Sequence, residues 1–287
     1  MTNLHFAGRS GPPIAVILGI NEIASAIAVD LHRGGFAVVL SHDPLPPVIR
    51  RKMAFHDALF DDAVTLDGIA AQRADSGFDI RTRLGQIGTV IVTELGLLDL
   101  IVIRSLDLLV DARLQKHDAA PDLRPLAGFT VGVGPGFCGG SNCHVAIETR
   151  PEKVGRVLSD SAADPSDGEP RRIGGRGGER FVRAPFAGRW HTAMEIGTRV
   201  FKDFVIGHLG NALVRAPFDG ILRGVVRDGT EVPAGVKLLE IDPRGRRAVF
   251  CGLDSRAEAI AKAVAGSVAS RKRAIATNSA PAHSLIK

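Results

Sequence analysis

The chain has no tyrosine, one tryptophan, and only 5% aromatic residues overall. Its three cysteines in 287 residues are too few for a disulfide framework. No apolar run reaches the roughly 18 residues of a membrane span. The first residues, MTNLHFAGRSGPP, lack the basic and then apolar pattern of a secretory signal, so a cytoplasmic location is expected. Net positive charge is also confined to one end. The net charge is +5, but residues 244–287 hold nine Lys/Arg against two Asp/Glu, leaving the remainder slightly acidic. A nucleic-acid binder shows a basic stripe interleaved with aromatics, so nucleic acid is not an expected partner. Residues 271–287 read as a disordered basic tail.

What is present is a hydrophobic content of 45%, enough for a sizeable core, in a length that suggests two domains at about 150 residues each. Residues 14–18 (IAVIL) form a short apolar run ending at Gly19. Ile23, Ile27 and Leu31 then recur at helical spacing, Gly34 and Gly35 stop the helix, and residues 36–40 (FAVVL) form a second apolar run. Strand, helix, strand within about thirty residues predicts a βαβ unit with parallel pairing. Residues 87–93, 106–110 and 129–133 read as further strands, 45–60 as a segment holding a helix that carries Arg50 and Arg51, and 254–270 as a C-terminal helix. Such buried runs predict an α/β, Rossmann-like parallel sheet over residues 14–158. Residues 159–179, rich in Ser, Asp, Pro, Gly and Arg, read as a linker.

Beyond the linker the chain repeats itself. VRAPFAG (182–188) returns as VRAPFDG (214–220), and the offset of 32 continues without a gap through Gly197/Gly229, Thr198/Thr230 and Val200/Val232. One such unit exposes an apolar face that a second copy can cover. Residues 180–250 are therefore expected to be two superposable 32-residue repeats, with Phe186 and Phe218 equivalent and buried. The pattern is similar to each half of the barrel-sandwich hybrid of lipoyl and biotinyl carrier domains. Those carriers hold a lysine on the hairpin between the halves. Here no lysine lies between Lys202 and Lys237, so no lipoyl or biotin arm is expected.

Candidate chemistry falls at strand ends. The dinucleotide fingerprint needs a glycine where Asn21 stands, so NAD(P) binding is doubtful, although Asp43 is placed to accept from a ribose. The Gly-rich loop after residues 129–133 carries Gly134, Gly136, Gly139 and Gly140, whose N–H groups could face an anion. Asp111, Arg113 and Lys116 follow another apolar run, and Arg50 and Arg51 add guanidinium groups suited to phosphate or carboxylate. All are assigned to one cofactor-binding cleft, with Cys138 at its border as a reactive thiol. Cys138, Cys143 and His144 offer three ligands where zinc takes four, so no metal site is assigned. Cys251 reads as a small buried residue.

The segments VIRRKMAF (48–55), VDARLQK (110–116), VGPGF (133–137), HVAIET (144–149), GRV (155–157), ADPSDGEP (163–170), IGG (173–175), ERFVRAP (179–185) and DGILRGVVRDGTEVPAGVKLLEIDPRG (219–245) together resemble the selenium-dependent molybdenum hydroxylase system proteins, the YqeB family. That family's Rossmann-like half is similar to part of the XdhC-type accessory proteins. The resemblance implies a role in maturing a molybdenum hydroxylase, handling a molybdopterin-type cofactor or its sulfur or selenium ligand, with oxidoreductase subunits as partners. The first-turn segment Gly19–Ala26 and residues 150–153 depart from the family pattern, and Cys138 stands where the family commonly has threonine. The alternatives are a structural or docking subunit of a larger oxidoreductase and a nicotinamide-dependent oxidoreductase.

Overall fold

The computed structural model describes residues 11–85, 88–115 and 120–279. Its first core is built on β1 (Ile14–Leu18), α1 (Glu22–Arg33) and β2 (Ala37–Ser41), whose apolar runs are buried throughout. The chain continues through β3 (Val64–Leu66), β4 (Ile69–Arg73), α2 (Gly77–Arg83), β5 (Thr89–Thr93), α3 (Leu97–Ile103), β6 (Leu106–Asp111), β7 (Ala127–Val133), β8 (Val145–Ile147) and β9 (Val157–Leu158). These strands make one nine-stranded sheet in the order β3-β4-β5-β2-β1-β6-β7-β8-β9. Strands β4 to β8 run parallel through the centre, and antiparallel β3 and β9 close the two edges. Val, Ile and Leu dominate the central strands because both sheet faces are covered.

Residues 45–60 hold no α-helix. They fold as two 3-10 turns, Arg51–Met53 and His56–Phe60, because three prolines at 44, 46 and 47 remove backbone donors and fix the chain. This segment crosses to the second core.

The second core is two four-stranded antiparallel sheets made from β10 (Phe181–Arg183), β11 (Gly188–His191), β12 (Arg199–Val200), β13 (Val205–Leu209), β14 (Ala212–Arg215), β15 (Gly220–Val225), β16 (Glu231–Val232) and β17 (Lys237–Asp242). Shifting β10 to β13 by 32 residues lands on β14 to β17. The sheet orders are β10-β17-β15-β12 and β14-β13-β11-β16. Exchanging the halves converts one order into the other, so each sheet takes two strands from each half. Neither half can bury its apolar side alone, and the interleaving places Trp190, Leu209, Leu222, Leu239 and Ile241 in one shared core. The repeats are not equal at every position. Phe218 is buried, whereas its counterpart Phe186 is 44% exposed.

The last helix, α4 (Ser255–Ser279), continues past residue 270, so residues 271–279 are helical rather than a disordered tail. Residues 280–287 lie outside the described residues. The helix returns to the first core, where Ala257, Ile260, Ala261, Val264 and Val268 pack with Ile23, Ile27 and Leu31 of α1. No described helix is long and apolar enough to cross a membrane.

Candidate functional site

Parallel strands present their carboxyl ends on one edge, where ligands of open α/β sheets collect. Here that edge carries Gly19, His42, Ala112, Gly134 and the pair Glu148–Thr149, which follow β1, β2, β6, β7 and β8. The residues singled out from the sequence divide sharply on this edge.

At the end of β6, Asp111 is buried and accepts from Arg113 Nε at 3.0 Å and Nη2 at 2.6 Å. The guanidinium expected to meet a ligand is thus engaged by its own neighbour. Asp43 accepts from Gln115 Nε2 at 2.7 Å and lies 3.9 Å from Arg113 Nη1. Lys116 lies outside the described residues. At the end of β1, Asn21 Oδ1 accepts from the N–H groups of Ile23 and Ala24, while its Nδ2 donates to Ala112 O at 2.7 Å. Those helix N–H groups are the ones that hold the pyrophosphate in a dinucleotide site. An asparagine side chain already takes them here.

Arg50 and Arg51 are not at the edge of an anion cleft. Arg50 donates to Glu22 Oε1 at 2.6 Å and to Glu240 Oε2 at 2.8 Å. Arg51 donates to Asp57 Oδ2 at 2.5 Å and to Val225 O at 3.0 Å. Both join the sheet unit to the β module. Glu240 is fully buried and also meets Arg180 and Arg223. Burial alone would raise its pKa, but the charges of Arg50 and Arg223 and the Arg50 hydrogen bond hold it down at about 2. Arg223 further bonds Asp254 at 3.0 Å, so the cluster reaches the turn that starts α4.

The glycine loop does not form one cradle. Gly134 stays at the carboxyl edge, where its N–H donates to Ile147 O at 2.9 Å and it adopts φ +87°. Phe137 then folds back under the sheet, against Gly132, where a Cβ would come within 2.1 Å of its ring. Asn142 stitches the return by accepting from Cys138 N and donating to Gly136 O, each at 2.8 Å. The loop ends beside Arg124, which precedes β7 and bonds Gly140 O at 2.6 Å. Gly139 packs on Leu158 and Ser159. Gly139, Gly140 and Cys138 therefore lie toward the amino end of β7, away from Gly134 and Arg113. The N–H groups of Gly139 and Gly140 donate to Ser161 O and Cys143 O, which leaves them no role in an anion cradle. A run of glycines was needed here for close passage. Cys138 is half-buried. Cys143 is buried, and that burial pushes its thiol up to about 11. Cys251 is exposed, in a turn rather than in a core. Among the described residues no group of three or more His, Cys, Asp or Glu is placed to hold a metal.

Two features were missed from the sequence. His42 follows β2, its buried Nδ1 has no partner among the described residues, and its ring meets that of His56 edge-on at 5.7 Å. Burial, then the neighbouring His56, depress its pKa to about 4. Further along the edge, Glu148 after β8 is buried, its oxygens accepting from the N–H groups of Thr149, Arg150 and Asp164. Arg256, in the first turn of α4, donates to Thr149 O at 3.1 Å. Among the described residues, the Nε atoms of both Arg150 and Arg256 are buried without a hydrogen-bond partner. The rule that singled out VDAR, charges directly after an apolar strand, applies equally to the sequence AIETR (146–150).

No family model matches the chain. It is 36% identical over 256 residues to the uncharacterized protein YqeB of Escherichia coli K12, an alignment that takes in 88% of this chain and 46% of that protein. Among solved structures, an aspartoacylase family protein from Mesorhizobium loti aligns with 81% of this chain and 86% of its own at 11% identity and TM-score 0.24. A succinylglutamate desuccinylase/aspartoacylase from Rhodobacter sphaeroides aligns with 83% and 87% at 10% identity and TM-score 0.25. At such TM-scores the likeness carries no argument. The chain is thus similar to YqeB over most of its own length, and it spans just under half the length of that curated relative.

Proposed function

We propose that the protein belongs to the YqeB family and acts as a cytoplasmic accessory factor in maturing a molybdenum hydroxylase-type oxidoreductase, binding a molybdopterin-type cofactor or the client that receives it. The observation that carries this reading is the 36% identity to YqeB across 88% of the chain. The molybdenum hydroxylase role rests on the resemblance of segments such as VGPGF (133–137) and DGILRGVVRDGTEVPAGVKLLEIDPRG (219–245) to that system's proteins. In this reading the parallel sheet is the Rossmann-like half shared with XdhC-type proteins. The two-sheet module is a barrel-sandwich hybrid without a carrier lysine.

Co-expression of a molybdenum hydroxylase with and without this chain tests the reading. The expected outcome is a higher molybdenum content and active fraction in the client when the chain is present. Equal values in both preparations would remove the reading.

A second reading, a docking subunit of a larger oxidoreductase, is favoured by one observation. The β module exposes Phe186, Phe201, Phe204 and Leu213. Co-purification of the intact chain with oxidoreductase subunits, without any change in client cofactor content, would support this reading over the first.

A further inference from the structure

We infer that Arg150 and Arg256 form a binding site for a small anion bearing phosphate or carboxylate groups, at the carboxyl ends of β7 and β8. Arg150 follows β8, two strands along the sheet from Arg113 at the end of β6.

Both arginines have unmet hydrogen-bonding capacity. Arg256 uses one donor on the carbonyl of Thr149, and its Nε is buried with no partner. Arg150, the residue after Thr149, has a buried Nε in the same condition, and its Nη2 pairs with the exposed Asp167 at 2.7 Å. A buried donor without a partner is destabilising, and more so when it is charged.

The acids near Arg256 are already taken. Glu22 is bonded by Arg50 at 2.6 Å. Asp254 is bonded by Arg223 at 3.0 Å and accepts from Ala257 N at 2.9 Å. The remaining charges that act on Arg256, those of Arg50 and Arg171, are of its own sign. Burial first, and then the opposing Arg50, push its pKa below the usual arginine value despite the attraction of Glu22.

The placement fits an anion. Helix α1 starts directly after β1, and α4 starts beside Thr149, so both packed helices direct their N-termini to this edge. Arginine presents a planar fork that matches a carboxylate or a phosphate with two parallel hydrogen bonds. The same two guanidinium groups would therefore be satisfied by either chemistry.

The test uses the whole chain, with inorganic phosphate, pyrophosphate and citrate as probes, in calorimetry and thermal melting. At least one probe is expected to bind and to raise the melting temperature. Pyrophosphate over citrate would identify a phosphoryl ligand, and the reverse a polycarboxylate. Arg256→Met should weaken binding about tenfold or more, the effect of one lost charge-assisted hydrogen bond. It should also raise the melting temperature in anion-free buffer, because it removes a half-buried cation whose burial and like-charged neighbours outweigh its attraction to Glu22 and Asp254. A merely structural arginine would lower it. Arg150→Gln should weaken binding and Arg113→Gln should leave it unchanged. Should Arg256→Met fail to fold, Arg256→Lys keeps the charge, loses the fork, and should still weaken binding several-fold. Absence of any probe-dependent shift in the wild type, unchanged affinity in the Arg256 variants, or a lower anion-free melting temperature in a folded Arg256→Met would overturn the site. None of these measurements involves a client enzyme, so the site is judged separately from the accessory-factor reading.

Discussion

The two halves of the β module share a sequence pattern and a strand plan, yet they face different surroundings. Arg223 and Glu240 of the second half correspond, at the offset of 32, to His191 and His208 of the first. The first pair is buried against the sheet unit within a cluster that includes Arg50 and Arg180. The second pair sits on adjacent strands with rings stacked 5.2 Å apart and half-exposed or exposed. Phe218 and Phe186 divide in the same way. The repeat therefore specifies which residues form strands, whereas docking on the sheet unit determines which of two equivalent positions carries buried charge.

The sharpest way to break this comparison is at Glu240. Glu240→Ala leaves Arg50, Arg180 and Arg223 without their shared carboxylate and should destabilise the protein by about 3–5 kcal/mol. His208→Ala, its counterpart, should change stability by no more than about 0.5 kcal/mol. Urea denaturation of both variants measures the difference, and equal effects would mean that the two faces are energetically alike. Phe218→Ala should lose about 3 kcal/mol through the cavity it leaves, and Phe186→Ala clearly less, again by denaturant midpoint. A smaller effect is expected at Gly224, where an added Cβ would approach Ile49 O to 2.9 Å and Ile49 C to 3.1 Å. Gly224→Ala should cost about 1–3 kcal/mol by forcing the two units apart, read as an earlier unfolding transition.

The pH dependence sharpens the same contrast. The pKa of Glu240 lies at about 2 in the folded protein against an ordinary value of 4.5. The unfolded chain therefore takes up this proton first as pH falls. The stability that this carboxylate contributes is complete above about pH 4.5 and declines as pH falls toward 2. In Glu240→Gln that acid limb should be flatter, whereas His208→Gln should leave it in place. Stability curves over pH 2–6 check both.

Much of the scaffold was legible in the residues. The runs at 14–18 and 106–110 appear as β1 and β6 almost to the residue, because continuous Val/Ile/Leu stretches bounded by glycine or charge have few other uses in a two-faced sheet. The helix over 22–33 followed from its apolar spacing. Segment 45–60, expected to hold a helix carrying Arg50 and Arg51, forms two 3-10 turns instead, because its prolines and its passage between two cores determine its path. The candidate site was less legible. Gly134 and Arg113 do share the carboxyl edge, but Cys138, Gly139 and Gly140 lie toward the other end of β7. The reason is Phe137, whose burial under Gly132 pulls the loop back across the sheet. Nothing local in GPGFCGG distinguishes an anion cradle from such a crossing.

The residues alone set the period of 32, the absence of a carrier lysine between Lys202 and Lys237, and the alternation of apolar runs that requires a covered parallel sheet. These are local properties: side-chain type, spacing and turn residues set them before any long-range contact forms. Which charges neutralise one another was set by the packing of distant segments. Arg50 meets Glu240 across 190 residues of chain, and Arg256 meets Thr149 across 107. Such pairings depend on how α4 returns to α1 and how the module docks, and the energy of a charge is set by the neighbours that this packing supplies.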